Sequence, residues 1–156
     1  MIVENRKARF DYEIIEEYES GIVLSGAEVK SVREGGTSMT GARVLIEGNG
    51  AYVIGMNIPK YRFDSSEEYD AGRRRKLLLH RGEIVEIQSK MRSAGLTVVP
   101  VRLYNKGSLV KVKIALVRGK KKFEKREVIK KRESQLGLAR RLKLTNRKGE
   151  NGLILE

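Results

Sequence analysis

Leu109-Val110-Lys111-Val112-Lys113-Ile114-Ala115-Leu116-Val117 reads as a β-strand, and the rest of the chain can be read outward from it. Val110, Val112, Ile114 and Leu116 share one face. Lys111 and Lys113 fall on the other, so burying the apolar face projects two cations side by side from a rigid surface. Those cations fit a solvated strand face or a contact surface for a polyanion. Leu96 to Tyr104 is a second strand pattern, joined to the first through Asn105-Lys106-Gly107-Ser108. Pro100 cannot donate to a ladder, which predicts an edge or a bulge near the middle of that strand.

Toward the N-terminus, Phe10, Tyr12 and Ile14 alternate with Asp11 and Glu13, and the pattern continues less cleanly to Tyr18. This is a half-buried strand ending near Gly21. Ser25-Gly26-Ala27-Glu28 has the spacing of a capping box, in which Ser25 and Glu28 satisfy each other's backbone donors. Val29 and Val32 supply an apolar face to the short helix that follows, and Gly35-Gly36 stops it. Its polar residues Glu28, Lys30, Ser31 and Arg33 read as a solvated face. Arg43 to Glu47 and Ala51 to Met56 flank Gly48-Asn49-Gly50 and form a hairpin. Between Pro59 and Arg75 the apolar periodicity vanishes, and Ser65-Ser66-Glu67-Glu68 and Asp70-Ala71-Gly72 predict a long mobile loop. Ile84, Val85, Ile87 and Met91 fit one face of a helix from about Arg81 to Ala94, closed by a left-handed cap at Gly95. His80, just ahead of it, takes a surface or helix-start role.

Five strand patterns with two short helices, no βαβ alternation and many turns predict a mainly β fold. The expected architecture is an OB-fold-like antiparallel β-barrel with short flanking helices, with an SH3-like barrel as the rival. That barrel spans residues 1–118. Residues 119–156 form a basic C-terminal tail of different composition. From Arg118 to Lys148 there are fourteen Lys and Arg against three acidic residues, most of the net charge of +13 that the 156-residue chain carries. Such a run cannot pack into a core without desolvating charges, so it fits a solvated run, a basic targeting patch or a polyanion-binding tail. Phe123 stands alone among these cations, where it has little core to join but can stack on a base. Leu136, Leu138, Leu142 and Leu144 lie among further cations, and we read this tail as coil when free and helical on binding.

A pI near 10.1 points to nucleic acid or an anionic membrane. The longest apolar run, Leu96 to Val101, is far too short to span a bilayer, and the N-terminus has no apolar core of a signal peptide, so no membrane role is expected. The chain has no cysteine, which fits a cytoplasmic location, and one histidine, His80, cannot supply a two-histidine zinc motif. No cofactor is expected. Three classes of function fit this composition: an RNA-delivery factor, a structural RNA-binding protein and an RNA-processing enzyme. The enzyme needs a convergent carboxylate pair or a histidine partner, and nothing in the sequence clusters them.

The order of segments carries a resemblance. Asn5-Arg6-Lys7-Ala8-Arg9, Glu19-Ser20-Gly21-Ile22, Gly26-Ala27-Glu28-Val29-Lys30-Ser31-Val32-Arg33, Arg75-Lys76-Leu77-Leu78-Leu79-His80, Val99-Pro100-Val101-Arg102-Leu103-Tyr104, Lys111-Val112-Lys113-Ile114 and Gly119-Lys120-Lys121-Lys122-Phe123-Glu124-Lys125-Arg126 follow one another as in a known family. From Asn5 to Arg132 the chain resembles the bacterial SsrA-binding protein family, small protein B. The resemblance implies an OB-type barrel that binds the tRNA-like domain of transfer-messenger RNA and delivers it to stalled ribosomes, so that the nascent chain is tagged and released. It implies as partners that RNA, the stalled ribosome and elongation factor Tu carrying the charged RNA. Asn5, Glu19, Leu78 and Lys111 match positions where the family contacts RNA, and Arg73, Arg75 and Lys76 lie close to them. Lys113 joins this set through the strand pattern. For Glu19 a fold-supporting role stands beside RNA contact, because a carboxylate near phosphates is repelled unless it accepts from base or ribose donors. Lys120, Lys121, Lys122, Phe123, Glu124, Lys125 and Arg126 match the family segment that enters the empty messenger channel at the decoding centre. Phe123 stands where the family usually has Tyr or His, and Glu124 where it has Asp.

Overall fold

In the computed structural model the Lys111 segment is a strand, β7 (Leu109–Gly119), hydrogen-bonded on one side to β6 (Thr97–Lys106) and on the other to β2 (Tyr12–Ile22). The structure describes residues 2–120 and 129–137. Beyond β2 come β5 (Arg75–Leu78), β4 (Gly50–Ile54) and β3 (Arg43–Glu47), and beyond β6 comes β1 (Ile2–Glu4). The result is one seven-stranded antiparallel sheet in the order β1-β6-β7-β2-β5-β4-β3. The sheet curls until β3 lies near β6, yet no ladder joins those two strands, so the OB-like barrel is open along that seam.

The main core fills the concave side of the sheet. Tyr18, Val44, Val53, Leu77, Val112, Ile114 and Leu116 meet Val32 of α2 (Gly26–Glu34) and Ile87 of α3 (Arg81–Ala94) there. A second cluster lies on the opposite side, where Ala8 of α1 (Arg6–Asp11) packs on Val99, Val101, Ala115 and Val117. The lower half of β7 is therefore buried on both faces, and only its Lys111 and Lys113 half keeps an open outer side.

Several elements follow the sequence reading. Ser25 and Glu28 form the capping box, with Ser25 N donating to Glu28 Oε1 at 3.0 Å and Glu28 N to Ser25 Oγ at 3.2 Å. Gly95 closes α3 at φ 61°, in the left-handed region that glycine adopts at no steric cost. His80 occupies the start of α3, where its N–H donates to Glu83. The ladder between β6 and β7 slips register between Pro100 and Arg102, the bulge that Pro100 predicts.

Three elements differ from the reading. β1 and β5 are only three and four residues long and carry too little periodicity to stand out. β5 exists because the end of β2 and the edge of β4 both offer it a ladder, pairing Leu77 with Ile22 and Ala51. Phe10 belongs to α1 and not to the following strand. Asn5 caps that helix, its Oδ1 accepting from Ala8 N at 3.2 Å, and the strand starts only at Tyr12. A register shift between Ile14 and Glu16 explains why the alternation weakens before Tyr18.

The chain divides into two units, residues 1–119 and residues 120–156. In the second unit residues 129–137 are helical, in keeping with the helix-forming Lys, Arg, Glu, Gln and Leu there.

Candidate nucleic-acid interface

The outer face of the sheet, where α1 does not cover it, is assembled row by row from the strand register. Tyr104 of β6 pairs with Lys111 of β7, Lys111 with Gly21 of β2, and Gly21 with Leu78 of β5. The next row joins Arg102, Lys113 and Glu19. On the other side, Val23 N donates to Lys76 O at 2.9 Å, and Lys76 pairs with Tyr52 of β4. Leu78 is 56% exposed, a large apolar side chain held out in solvent. Gly21 permits this, since a Cβ there would stand 3.1 Å from the Leu78 Cβ. Five of the residues picked out from the sequence thus share one surface: Glu19, Lys76, Leu78, Lys111 and Lys113.

Charge on this face is unevenly neutralised. Lys113 lies 3.8 Å from Glu17, and Arg102 lies 3.5 Å from Glu4. Lys76 and Lys111 make no ion pair among the described residues. Glu19 accepts from the Tyr104 hydroxyl and, at 3.0 Å, from Lys106 Nζ. The Tyr104 hydrogen bond and then Lys106 hold the Glu19 carboxyl below the usual carboxylate range. Burial, followed by the Glu19 contact, pushes the Tyr104 phenol up to about 12. A carboxylate neutralised in this way is tolerated beside phosphates and still presents lone pairs to base or ribose donors.

Other residues picked out from the sequence lie elsewhere. Arg75 is fully buried, the reverse of an RNA-contacting loop cation. Its Nε donates to Glu28 at 2.5 Å, and its remaining nitrogens donate to the carbonyls of Met56, Arg73 and Ala71. Glu28 also accepts from the half-exposed Arg73, so it and the buried Ser31 do not belong to a solvated face. Burial pushes the Glu28 carboxyl up, but the Ser25 amide, Arg73 and Arg75 outweigh it and hold the group below the usual range. This cluster pins the base of the segment read as a mobile loop and delivers the chain into β5. Asn5 is 3% exposed, and its Nδ2 donates to Met39 O and Pro100 O at 3.1 and 2.8 Å. Its amide ties α1, β6 and the approach to β3 together, with both ends already engaged. Of the seven tail residues matched to the messenger channel, only Lys120 is among the described residues. Lys121, Lys122, Phe123, Glu124, Lys125 and Arg126 lie outside the described residues.

Sequence reasoning assigned no role to Tyr104 and Lys106, which hold Glu19. Arg102, Tyr104 and Lys106 recur at period two along β6, a signal that the apolar run before them and the Pro100 bulge obscured.

Among the described residues the fold is thus an open OB-like antiparallel sheet with a cationic, partly apolar outer face. The model of the SmpB protein family matches residues 2–144 of this chain. The SsrA-binding protein of Mycoplasma mycoides subsp. mycoides SC is 46% identical over 136 residues, covering 86% of this chain and 92% of that protein. The SsrA-binding protein of Streptomyces coelicolor is 41% identical over 148 residues, covering 95% and 93%. A chain from a solved structure described as "tmRNA-SmpB: a journey to the center of the bacterial ribosome" is 43% identical, with a TM-score of 0.65 over 78% of this chain and 85% of that one. The chain belongs to the SmpB protein family.

Proposed function

We infer that this chain binds transfer-messenger RNA and works with it in trans-translation on stalled ribosomes. Family membership and the match to a tmRNA-SmpB structure on the ribosome support this reading. The observation that carries it at the residue level is the outer sheet face. Lys111 and Lys76 offer unpaired charge to phosphates, Leu78 offers an apolar contact, and Glu19 is a neutralised acceptor among them. Side chains fixed on strands make a stiff surface, suited to the shaped backbone of the tRNA-like domain. The tail through Lys120 to Arg126 is assigned to the empty messenger channel by resemblance and by its charge, and elongation factor Tu is the expected carrier of the charged RNA. The chain acts in this scheme as a binding factor, with no catalytic step of its own.

Recovering the chain from cells and sequencing its bound RNA tests the reading. Selective enrichment of one small stable RNA is expected, whereas ribosomal RNA in stoichiometric amounts without stalling would instead indicate a structural ribosomal protein.

A further inference from the structure

The outer face carries a second built feature on β4 and β3, away from Lys111. The Tyr52 ring lies over the backbone at Gly50, where an added Cβ would come within 2.9 Å of the phenol oxygen. Glycine at this position gives the ring its seat. The Arg74 guanidinium lies over the ring with its carbon 3.8 Å from the centroid, closer than the cations over Tyr18, Tyr61, Phe63 and Tyr104, which lie 4.8 to 6.0 Å away. Glu47 holds it from β3 through a 2.8 Å ion pair. Arg74 keeps 42% of its side chain exposed and Glu47 54%, and so exposed a pair adds little to stability.

Geometry and charge together indicate what such a plane receives. Glu47 neutralises much of the Arg74 charge, so a phosphate gains more from Lys76 or Lys111. What the guanidinium offers is a flat, solvent-facing surface backed by an aromatic ring, the kind of surface on which unpaired RNA bases stack. It is also continuous with the interface described above. Lys76 pairs directly with Tyr52, and three strand steps, about 14 Å, separate β4 from β7. We propose that Arg74 and Tyr52 form a stacking platform for an unpaired base of the RNA whose backbone Lys76 and Lys111 hold. This rests on the RNA-binding reading and adds to it a base contact.

The full-length chain is titrated with the tRNA-like domain and with an unrelated hairpin of equal length at several salt concentrations. Arg74→Lys keeps the charge and removes the plane, and it takes nothing from the core. Its affinity for the tRNA-like domain falls about five- to tenfold with an unchanged salt slope. Tyr52→Leu behaves alike, and the double variant is no worse than the more damaging single one. Abasic substitution at one unpaired nucleotide lowers wild-type affinity by a similar factor and has no further effect on Arg74→Lys, which identifies the base. An Arg74→Lys variant that binds like wild type, or whose loss appears as a shallower salt slope, overturns the platform while the wild-type preference for the tRNA-like domain stands. Absence of that preference overturns the RNA-binding reading itself, and the platform with it.

Discussion

Glu28 and Glu19 have opposite surroundings, and each gives a residue-level prediction. Glu28 is 2% exposed and accepts from two arginines, one of them fully buried. Removing its charge leaves Arg75 uncompensated in the core, so Glu28→Gln should lower unfolding stability by about 3 kcal/mol or more in chemical denaturation. Because the folded carboxyl titrates below its ordinary value of 4.5, its contribution is fully present above that pH. It is lost as pH falls through the lower folded value, and Glu28→Gln should flatten this acid limb. An unchanged acid limb would show that the ion cluster contributes nothing to the pH dependence. Glu19 is exposed and sits opposite Lys113 in the ladder. Replacing Lys111 and Lys113 by Glu places new carboxylates beside Glu17 and Glu19. RNA affinity should drop, and the magnitude of the salt slope should fall by roughly 1 to 2 log units per log salt. A salt titration that superimposes on wild type would remove this face from the binding site.

At the level of elements, α1 and β6 decide how much outer face remains open. α1 is only six residues long, too short to persist alone, and it holds through its Asn5 cap and the packing of Ala8. Asn5→Ala would strip a partner from the carbonyls of Met39 and Pro100 and from the Ala8 amide. A cost of about 2 kcal/mol follows from the unsatisfied groups and the lost cap, and it should appear as a lower melting temperature. RNA affinity below the transition should fall much less than for the Lys111 and Lys113 exchange. The opposite pattern, normal melting with lost affinity, would return Asn5 to the RNA-contacting set that family resemblance assigns it.

At the level of the whole molecule, residues 1–119 hold the seven strands and the two apolar clusters found among the described residues. A chain ending at Gly119 should therefore melt cooperatively and bind the tRNA-like domain with at most modest loss, while failing to support tagging on stalled ribosomes. Tagging at normal rates by the shortened chain would sink the assignment of the tail to the messenger channel. How much of this was legible beforehand follows from the range of each interaction. Local signals sufficed where the deciding contact lies within a few residues: the Ser25 and Glu28 box, the Gly95 cap, the Gly48-Asn49-Gly50 hairpin, the Pro100 bulge and the two-faced Lys111 strand. Resemblance supplied the family, and alternation put Lys111 and Lys113 on one side. Tertiary structure alone decided where contacts span long separations. β5 became a strand because β2 and β4 offered it edges, and Arg75 turned inward because Glu28, 47 residues earlier in sequence, met it in the core. Charge read along a chain signals exposure, since burying an ion is costly; only a partner brought in by the fold, with hydrogen bonds to match, reverses that expectation.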